Sequence, residues 1–183
     1  MFSTRKINRW DNKFLLEALF WSRSSHDAQT QCGCVLVKDK TPLSSGYNGF
    51  IRDVDDSALP RHRPDKYPYM IHAEQNAIYN CTRLGRSTLG ATAYITALPC
   101  GNCLQALHQC GIVEIIFTDL SAPKNVIGTH DYATIFKMVS EDMNISYVPA
   151  SELDETDFIE CSVILADRKI RKNQKIFEEP VDK

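Results

Sequence analysis

The stretch that decides the fold is residues 72–103, HAEQNAIYNCTRLGRSTLGATAYITALPCGNC. Small and apolar residues recur at helical spacing in its first part, which predicts a helix over residues 71–83. Residues 91–98 alternate and are rich in Thr, Tyr and Ile, which predicts a strand. Pro99 is predicted to open the next helix, where its missing N–H costs nothing, and Gly111 to end it. This helix–strand–helix order is typical of a layered α/β domain.

The flanking segments extend this pattern in both directions. Asn8 or Asp11 is a candidate cap for the first helix. The same periodicity and turn signals predict a helix at residues 8–22, strands at 31–37 and 42–47, a strand at 112–118, a helix at 131–142 and a strand at 145–148. The resulting order, α-β-β-α-β-α-β-α-β, predicts five strands in one sheet with helices packed over it.

The domain organisation follows from length and from one unusual loop. A chain of 183 residues predicts one domain with a modest appendage. We assign residues 1–150 to the main domain and residues 151–183, acidic first and basic later, to a C-terminal extension of unknown role. Residues 48–68 hold three prolines and no sustained period, which predicts a long ordered loop. Loops of this length inside compact domains are often functional.

The composition is that of an ordinary soluble globular protein, with 43% hydrophobic and 24% charged residues. A net charge of −2 argues weakly against binding to duplex nucleic acid but leaves room for a local basic pocket. No apolar run reaches the roughly 20 residues of a membrane helix, and none follows the basic N-terminus, so neither membrane insertion nor secretion is expected. The seven cysteines include a Cys-x-x-Cys pair with metal-ligand spacing, which favours reduced thiols in a cytoplasm.

Three candidate zinc ligands stand at the starts of two successive predicted helices. His72 lies just inside the first helix, and Cys100 and Cys103 lie on the first turn of the second. Two thiols three residues apart on one helical turn point the same way, and the helix dipole favours their thiolate form. Three protein ligands leave the fourth position of Zn²⁺ for water, whose pKa the metal lowers toward about 7. The spacing therefore predicts a catalytic rather than a structural zinc site.

Glu74 is the candidate proton carrier. It follows His72 by two residues, a spacing that makes it a poor ligand for the same ion but lets it move a proton between water and a substrate. The combination of His-x-Glu with Pro-Cys-x-x-Cys is the signature of zinc nucleobase deaminases. Taken singly, each part has another interpretation: Glu74 could complement the helix dipole, His72 could be a cap or core residue, and the cysteine pair could be redox-active or half of a structural site.

Two further cysteines, Cys32 and Cys34, share one face of a predicted strand. They could bind a second metal ion with His26 or His62, but their place in an apolar strand favours buried small residues. The chain has no second Cys-x-x-Cys pair that would complete a four-cysteine structural site.

Four segments resemble deoxycytidylate (dCMP) deaminases of the zinc-dependent cytidine deaminase superfamily. They are GYNGF at residues 46–50, KYPY at 66–69, HAEQNAI at 72–78 and PCGNC at 99–103. The resemblance implies a three-layer α/β/α cytidine-deaminase-like fold around a central mixed five-stranded sheet, with residues 1–150 as the catalytic domain. It also implies Zn²⁺ as cofactor and the conversion of dCMP to dUMP and ammonia, which supplies dUMP for thymidylate synthesis.

The resemblance further implies how the nucleotide is held. Glu74 would protonate ring nitrogen 3 while the activated water attacks carbon 4, and Asn48 would hydrogen-bond the sugar. Ala73 would also contact the substrate, and a loop over residues 52–69 would cover it. The candidates for the phosphate contact are Arg52 first and then Arg61, Arg63 and Lys66, and those for stacking on the base are Tyr69 and Phe50.

The sequence departs from the family pattern at two places. Ile51-Arg52-Asp53 replaces a Pro-Arg-Gly run, and Leu104-Gln105 replaces a small residue followed by lysine, so neither change involves a metal ligand. Family members often form hexamers, and some are activated by dCTP and inhibited by dTTP. The resemblance therefore implies a homo-oligomer, either dimer or hexamer, and nucleotide effectors for this chain.

Two other functions fit the same motifs. One is deamination of another base or nucleotide, such as cytidine, guanine or tRNA adenosine; the near-neutral charge and the long loop disfavour a tRNA substrate. The other is a catalytically silent relative that senses nucleotides or serves as an assembly subunit. Glu74 argues against the second function, because a silent copy has no need of a proton carrier.

Overall fold

The computed structural model describes residues 3–121 and 132–163. The main helices and strands in these two ranges are β1 (Ser3–Thr4), α1 (Arg9–Ser22), β2 (Gly33–Lys38), β3 (Thr41–Tyr47), α2 (Ala73–Arg83), β4 (Thr92–Ile95), α3 (Gly101–Gln109), β5 (Glu114–Phe117), α4 (Tyr132–Val139) and β6 (Asn144–Tyr147). The long loop between β3 and α2 contains a 3-10 turn at Tyr67–Tyr69. Residue 131, the first of the predicted fourth helix, lies outside the described residues.

One mixed sheet forms the centre, with strand order β1-β6-β5-β4-β2-β3. Strand β2 runs antiparallel to β3 and β4, whereas β4, β5 and β6 are parallel to one another. The predicted mixed α/β fold is confirmed, but the prediction of five strands is wrong. A sixth strand, β1, pairs parallel with β6 through Ser3 and Ser146. Two residues carry no periodicity, so the sequence gives no signal for such a strand.

Helices cover both faces of the sheet, as a three-layer arrangement requires. On one face, Phe14, Leu15 and Ala18 of α1 pack against a cluster that includes Val35 and Ile116. On the other face, α2, α3 and α4 bury their apolar residues. These residues are Ala77, Ile78 and Cys81 of α2, Leu104 and Leu107 of α3, and Tyr132 and Val139 of α4. The central strands are therefore buried on both sides, which explains their nearly continuous apolar runs.

The helix starts differ from the predicted ones by one or two residues. Helix α2 begins at Ala73, and His72 is its N-cap with φ −71° and ψ 157°. Helix α3 begins at Gly101, and Cys100 is its N-cap with φ −73° and ψ 167°. His72 is thus not inside its helix and Pro99 does not open the next one, because both cap residues keep an extended backbone. The first helix does begin as expected, with the Asn8 side chain accepting hydrogen bonds from the N–H groups of Trp10 and Asp11 at 2.8 and 3.0 Å.

The long loop leaves the sheet and returns to it at one point. The backbone N–H of Gly49 donates to the Ile71 carbonyl at 3.0 Å, and the N–H of Ile71 donates to the Gly49 carbonyl at 2.8 Å. This isolated bridge fixes both ends of the loop directly before the helix that carries His72. The path of residues 50–70 therefore begins and ends at the edge of the candidate site.

Strand β3 approaches helix α2 closely at Gly46. A Cβ atom at this position would lie 2.3 Å from the Ala73 carbonyl oxygen and 2.4 Å from the Ala77 amide nitrogen. Both neighbours are backbone atoms of the first turns of α2, so a side chain at position 46 would push the helix away from the sheet. Glycine at this position thus sets the position of the helix that carries His72 and Glu74.

We expect Gly46→Ala to lower the free energy of unfolding by about 1 to 3 kcal/mol, the range typical of overpacked sites. For a chain of this length this corresponds to a Tm lower by about 2 to 12 °C, measurable by thermal denaturation. Gly49→Ala is the matched control, since its Cβ atom would meet only the Tyr47 side chain, at 3.4 Å. Equal Tm values for the two variants would contradict this account.

Contacts divide the chain into one compact unit that ends at Leu153 and a second that begins at Asp154. In the second unit, residues 156–163 are helical, and the Thr156 N–H donates to the Asp154 carboxylate at 3.0 Å. Residues 164–183 lie outside the described residues, so the extension at residues 151–183 and its boundary stay a prediction. Within the described part of the chain, the helices are too short or too polar to cross a membrane.

Candidate metal centre and active site

The three predicted metal ligands come together where α2 and α3 begin. The Nδ1 atom of His72 lies 3.5 Å from the Cys100 sulfur and 3.4 Å from the Cys103 sulfur. All three donor atoms lie within 4.8 Å of one another. Tetrahedral Zn²⁺ with bonds of about 2.0 to 2.3 Å places its ligand atoms about 3.5 Å apart. One imidazole and two thiols at these distances therefore fit a zinc ion.

The fold brings these side chains together through helix N-termini. His72 and Cys100 are N-caps of α2 and α3, and Cys103 is the third residue of α3. Free N–H groups and the positive end of the dipole at each helix start favour negatively charged sulfur at this point. Cys103 is fully buried and the other two ligands are half-buried, so the cluster is largely shielded from solvent.

The two thiols are unequal before any metal binds. The Cys103 thiol donates to the Cys100 sulfur, and this bond, followed by the contact with His72, lowers the pKa of Cys100 to about 4. The same bond, together with burial, raises the pKa of Cys103. The hydrogen bond to Cys100 also raises the pKa of His72. Metal binding at neutral pH must therefore release protons, so the affinity for a metal ion will rise with pH.

Glu74 lies beside this cluster and is only 6% exposed. Its burial raises the pKa of the carboxyl above its usual range, although the neighbouring His72 opposes the shift. A buried carboxyl with a raised pKa can hold or release a proton closer to neutral pH. On the first turn of α2, it lies outside the group of three donors that could share a metal ion.

Two of the three residues of the cluster, His72 and Cys100, line a cavity of about 200 Å³. Several residues singled out from the sequence line it, namely Asn48, Arg63, Lys66, His72, Ala73, Glu74 and Cys100. The structure adds others that were not predicted to contact a substrate, chiefly Asp27, Thr30, Cys32 and Tyr67. Two candidate metal ligands, a buried carboxyl and several hydrogen-bonding groups thus line one cavity, the usual layout of a small-molecule site.

Asn48 lies in the wall of the cavity with its amide held by the protein. Its Nδ2 group donates to the Thr30 carbonyl at 2.9 Å and to the Asp27 carboxylate at 3.2 Å, and its Oδ1 accepts from the Cys32 N–H at 2.7 Å. Both amide hydrogens are used, and the oxygen retains one acceptor position. Its role as a sugar contact stays a prediction, and only this oxygen is left to accept a hydroxyl hydrogen.

Arg52 and Tyr69, first choices for phosphate and base, do not line the cavity. Arg52 donates to the Asn80 side chain at 2.5 Å and borders a separate depression together with Phe50. Tyr69 is 44% exposed, and the aromatic residue that reaches the cavity is Tyr67, two positions earlier. The structure therefore does not bring Arg52, Phe50 or Tyr69 together with the candidate metal ligands.

A buried ion pair fastens the long loop beside the cavity. The Lys66 ammonium donates to both oxygens of Asp27, at 2.5 and 2.6 Å, and both side chains are almost completely buried. Burial alone would raise the pKa of Asp27, but Lys66 and the N–H groups of Gln29 and Thr30 lower it overall. The sequence signal for Asp27 was local: an aspartate whose side chain accepts from the N–H groups two and three residues later closes an Asx turn.

The other cysteines do not form a second metal centre in the described ranges. There, the one group of three or more His, Cys, Asp or Glu donors close enough to share an ion is the cluster of His72, Cys100 and Cys103. Cys34 is fully buried in the core and Cys32 lines the cavity. All seven cysteines lie within the described residues and are free thiols.

Comparison with known proteins identifies the family. Residues 8–119 match the model of the cytidine and deoxycytidylate deaminase zinc-binding region. Over 114 residues the chain is 40% identical to a probable deoxycytidylate deaminase of Caenorhabditis elegans, covering 58% of this chain and 56% of the relative. It is 33% identical over 115 residues to human deoxycytidylate deaminase, covering 59% of this chain and 64% of the relative.

A solved structure supports the fold alone. The dCMP deaminase of cyanophage S-TIM5 superposes with a TM-score of 0.61 at 18% identity, over 78% of this chain and 99% of the phage protein. The chain spans between about half and two thirds of the length of the worm and human relatives. With the family model matching more than half of its residues, the chain belongs to the cytidine and deoxycytidylate deaminase family.

Proposed function

We propose that the protein is a zinc-dependent hydrolase that deaminates a cytosine nucleotide, dCMP before others, to dUMP and ammonia. The observation that carries the proposal is a cluster of three candidate metal ligands beside the buried Glu74, which lines the same cavity as His72 and Cys100. Two relatives named deoxycytidylate deaminase support the choice of base. The match to a zinc-binding family and the donor set of one imidazole and two thiols support the choice of metal.

Each residue at the metal end has a chemical task under this proposal. His72, Cys100 and Cys103 would hold Zn²⁺, which supplies a Lewis acid that lowers the pKa of water to about 7. Glu74 takes one proton from the attacking water and gives it to ring nitrogen 3. It then takes the second proton from the hydroxyl formed on carbon 4 and gives it to the amino group, which leaves as ammonia while carbon 4 becomes a carbonyl. Its raised pKa suits both directions of transfer, because the carboxyl neither holds nor loses its proton too strongly.

The test is zinc analysis combined with ammonia release from a panel of dCMP, CMP, deoxycytidine, cytosine, guanine and tRNA. We expect one zinc per chain and the highest kcat/KM for dCMP. Cys100→Ser should lose both zinc and turnover, because it removes one of three ligands. Cys110→Ser is the matched control, since Cys110 caps the far end of the same helix. A zinc-loaded protein that is inert toward the whole panel would overturn the proposal.

We also infer that this reaction supplies dUMP for thymidylate synthesis in the cytoplasm, and that the enzyme is a homo-oligomer regulated by dCTP and dTTP. The family membership supports these inferences, and the free thiols fit a reducing compartment. Repeating the dCMP assay with each nucleotide and measuring the native mass tests them. Rates that neither nucleotide changes would refute the regulation, and a monomeric mass would refute the assembly.

A further inference from the structure

The cavity contains two cations from the long loop, and only one of them lacks a counter-charge. Lys66 is neutralised by its bidentate pair with Asp27. Arg61 does not line the cavity; it is paired with Asp56 at 3.2 Å and lies over the ring of Phe50. Arg63 lines the cavity, and within the described residues no carboxylate oxygen lies within 4.0 Å of its guanidinium. Its positive charge is therefore available to an anionic ligand.

Arg63 is also held in place on two sides. Its guanidinium donates to the Thr30 hydroxyl at 2.6 Å, and its backbone N–H donates to the Gln29 side chain at 2.8 Å. A guanidinium has five N–H donors in a planar fork, so most of them remain free for a two-point contact with an anion. An arginine that is already oriented loses less side-chain entropy when a ligand binds.

Thr30 links Arg63 to Asn48, the predicted sugar contact. The Thr30 hydroxyl accepts from Arg63, while its backbone carbonyl accepts from the Asn48 amide at 2.9 Å. The Arg63 guanidinium and the Asn48 amide thus contact the same residue and face the same cavity. In a nucleoside monophosphate the phosphate is bonded to the sugar, so the two groups that bind them must be neighbours. The metal cluster, Asn48 and Arg63 would therefore contact the base, the sugar and the phosphate, respectively.

From this arrangement we infer that Arg63 binds the 5′-phosphate of the substrate and makes the cavity selective for a nucleoside monophosphate over the free nucleoside. The inference rests on the proposed function for the identity of the base. Phosphate oxygens would accept two hydrogen bonds from the guanidinium, in the geometry that favours arginine over lysine. Charge-assisted contacts of this kind change affinity by about 10- to 100-fold.

The experiment compares kcat/KM for dCMP and deoxycytidine in four variants. Arg63→Ala should lower kcat/KM for dCMP by about 10- to 100-fold and change that for deoxycytidine less than about twofold. Arg63→Lys should recover part of the loss, because it restores the charge without the fork. Arg83→Ala, which removes a positive charge at the far end of α2, should leave both substrates unaffected. Arg52→Ala tests the competing assignment from the sequence.

Two outcomes of this assay would overturn the inference. If Arg63→Ala lowered kcat/KM equally for dCMP and deoxycytidine, Arg63 would stabilise the loop conformation without binding the phosphate. If Arg52→Ala lowered kcat/KM for dCMP only, and Arg63→Ala behaved as wild type, the phosphate would be assigned instead to the depression beside Asn80.

Calorimetry of dUMP and deoxyuridine binding separates this inference from the proposed function, because it needs no turnover. Arg63→Ala should weaken dUMP binding by the same factor and leave deoxyuridine binding unchanged. If the wild-type protein were inert but bound dUMP through Arg63, the deamination proposal would fail and the phosphate site would stand. Equal dUMP affinities in wild type and Arg63→Ala would refute the phosphate site whatever the activity.

Discussion

Replacing Glu74 by glutamine should lower kcat for dCMP by about 10²- to 10⁴-fold while one zinc remains bound per chain. The amide has nearly the same shape but cannot accept and release a proton, and the residue is not among the metal ligands. Steady-state kinetics together with metal analysis of the purified variant measures both effects. Glu141→Gln, at an exposed carboxylate outside the cavity, is the control and should behave as wild type.

The stability of the metal-free Glu74→Gln variant adds a second readout. Burial raises the pKa of Glu74 in the folded protein above its unfolded value. The folded state therefore binds more protons than the unfolded state between the two pKa values, and wild-type stability falls as the pH rises through that interval. Glutamine lacks this penalty, so the variant should be at least as stable as wild type at neutral pH. A near-normal rate would show that Glu74 is not the proton carrier, and a large loss of stability would contradict the burial penalty at this position.

Replacing Asp27 by asparagine should destabilise the protein by about 3 to 5 kcal/mol, because it leaves the Lys66 ammonium buried without a counter-charge. For this chain length the Tm falls by about 6 to 20 °C. The asparagine oxygen can still accept from the N–H groups of Gln29 and Thr30, so the change tests mainly the charge. Chemical denaturation of the variant gives the free energy of unfolding directly.

The double variant Asp27→Asn with Lys66→Met supplies the control for this prediction. It removes the unpaired charge and should recover part of the stability lost in the single variant. The pH dependence gives a further check. Because the pKa of Asp27 is lowered overall, its contribution is complete above the unfolded pKa near 3.8 and disappears as the pH falls through the folded value. A wild-type advantage that persisted in strong acid would exclude the ion pair as its source.

Each half of the candidate metal cluster carries a sequence signal because its spacing is local, although the two halves meet across 28 residues. Cys100 and Cys103 share one helical turn, and Glu74 follows His72 by two residues, so their relation depends on a few backbone angles. The helix and strand positions followed for the same reason, since periodicity is a property of short windows. Strand β1 was missed because two residues have no period, and it forms only by pairing with residues 143 positions later.

The substrate end was predicted less well because it depends on contacts between distant segments. The sequence alone predicts that Lys66 is an unpaired cation on the loop, because its partner Asp27 lies 39 residues earlier and only the fold brings the two together. The sequence favoured Arg52 over Arg63 for the phosphate, but the path of the loop decides which of them lines the cavity, and it is Arg63. The position of an aromatic residue on a turn, Tyr67 rather than Tyr69, is likewise set by tertiary structure.

The bridge between Gly49 and Ile71 makes residues 50–70 an exchangeable segment. Because both of its ends are tied to each other, changes in its length or sequence are expected to cost little at the candidate metal centre. Substrate preference can therefore diverge in evolution through substitutions within residues 50–70. For protein engineering, the bridge marks where a segment from a relative with another substrate preference could be inserted in place of residues 50–70. Lys66 should be retained in such a chimera, because its partner Asp27 lies outside the exchanged segment.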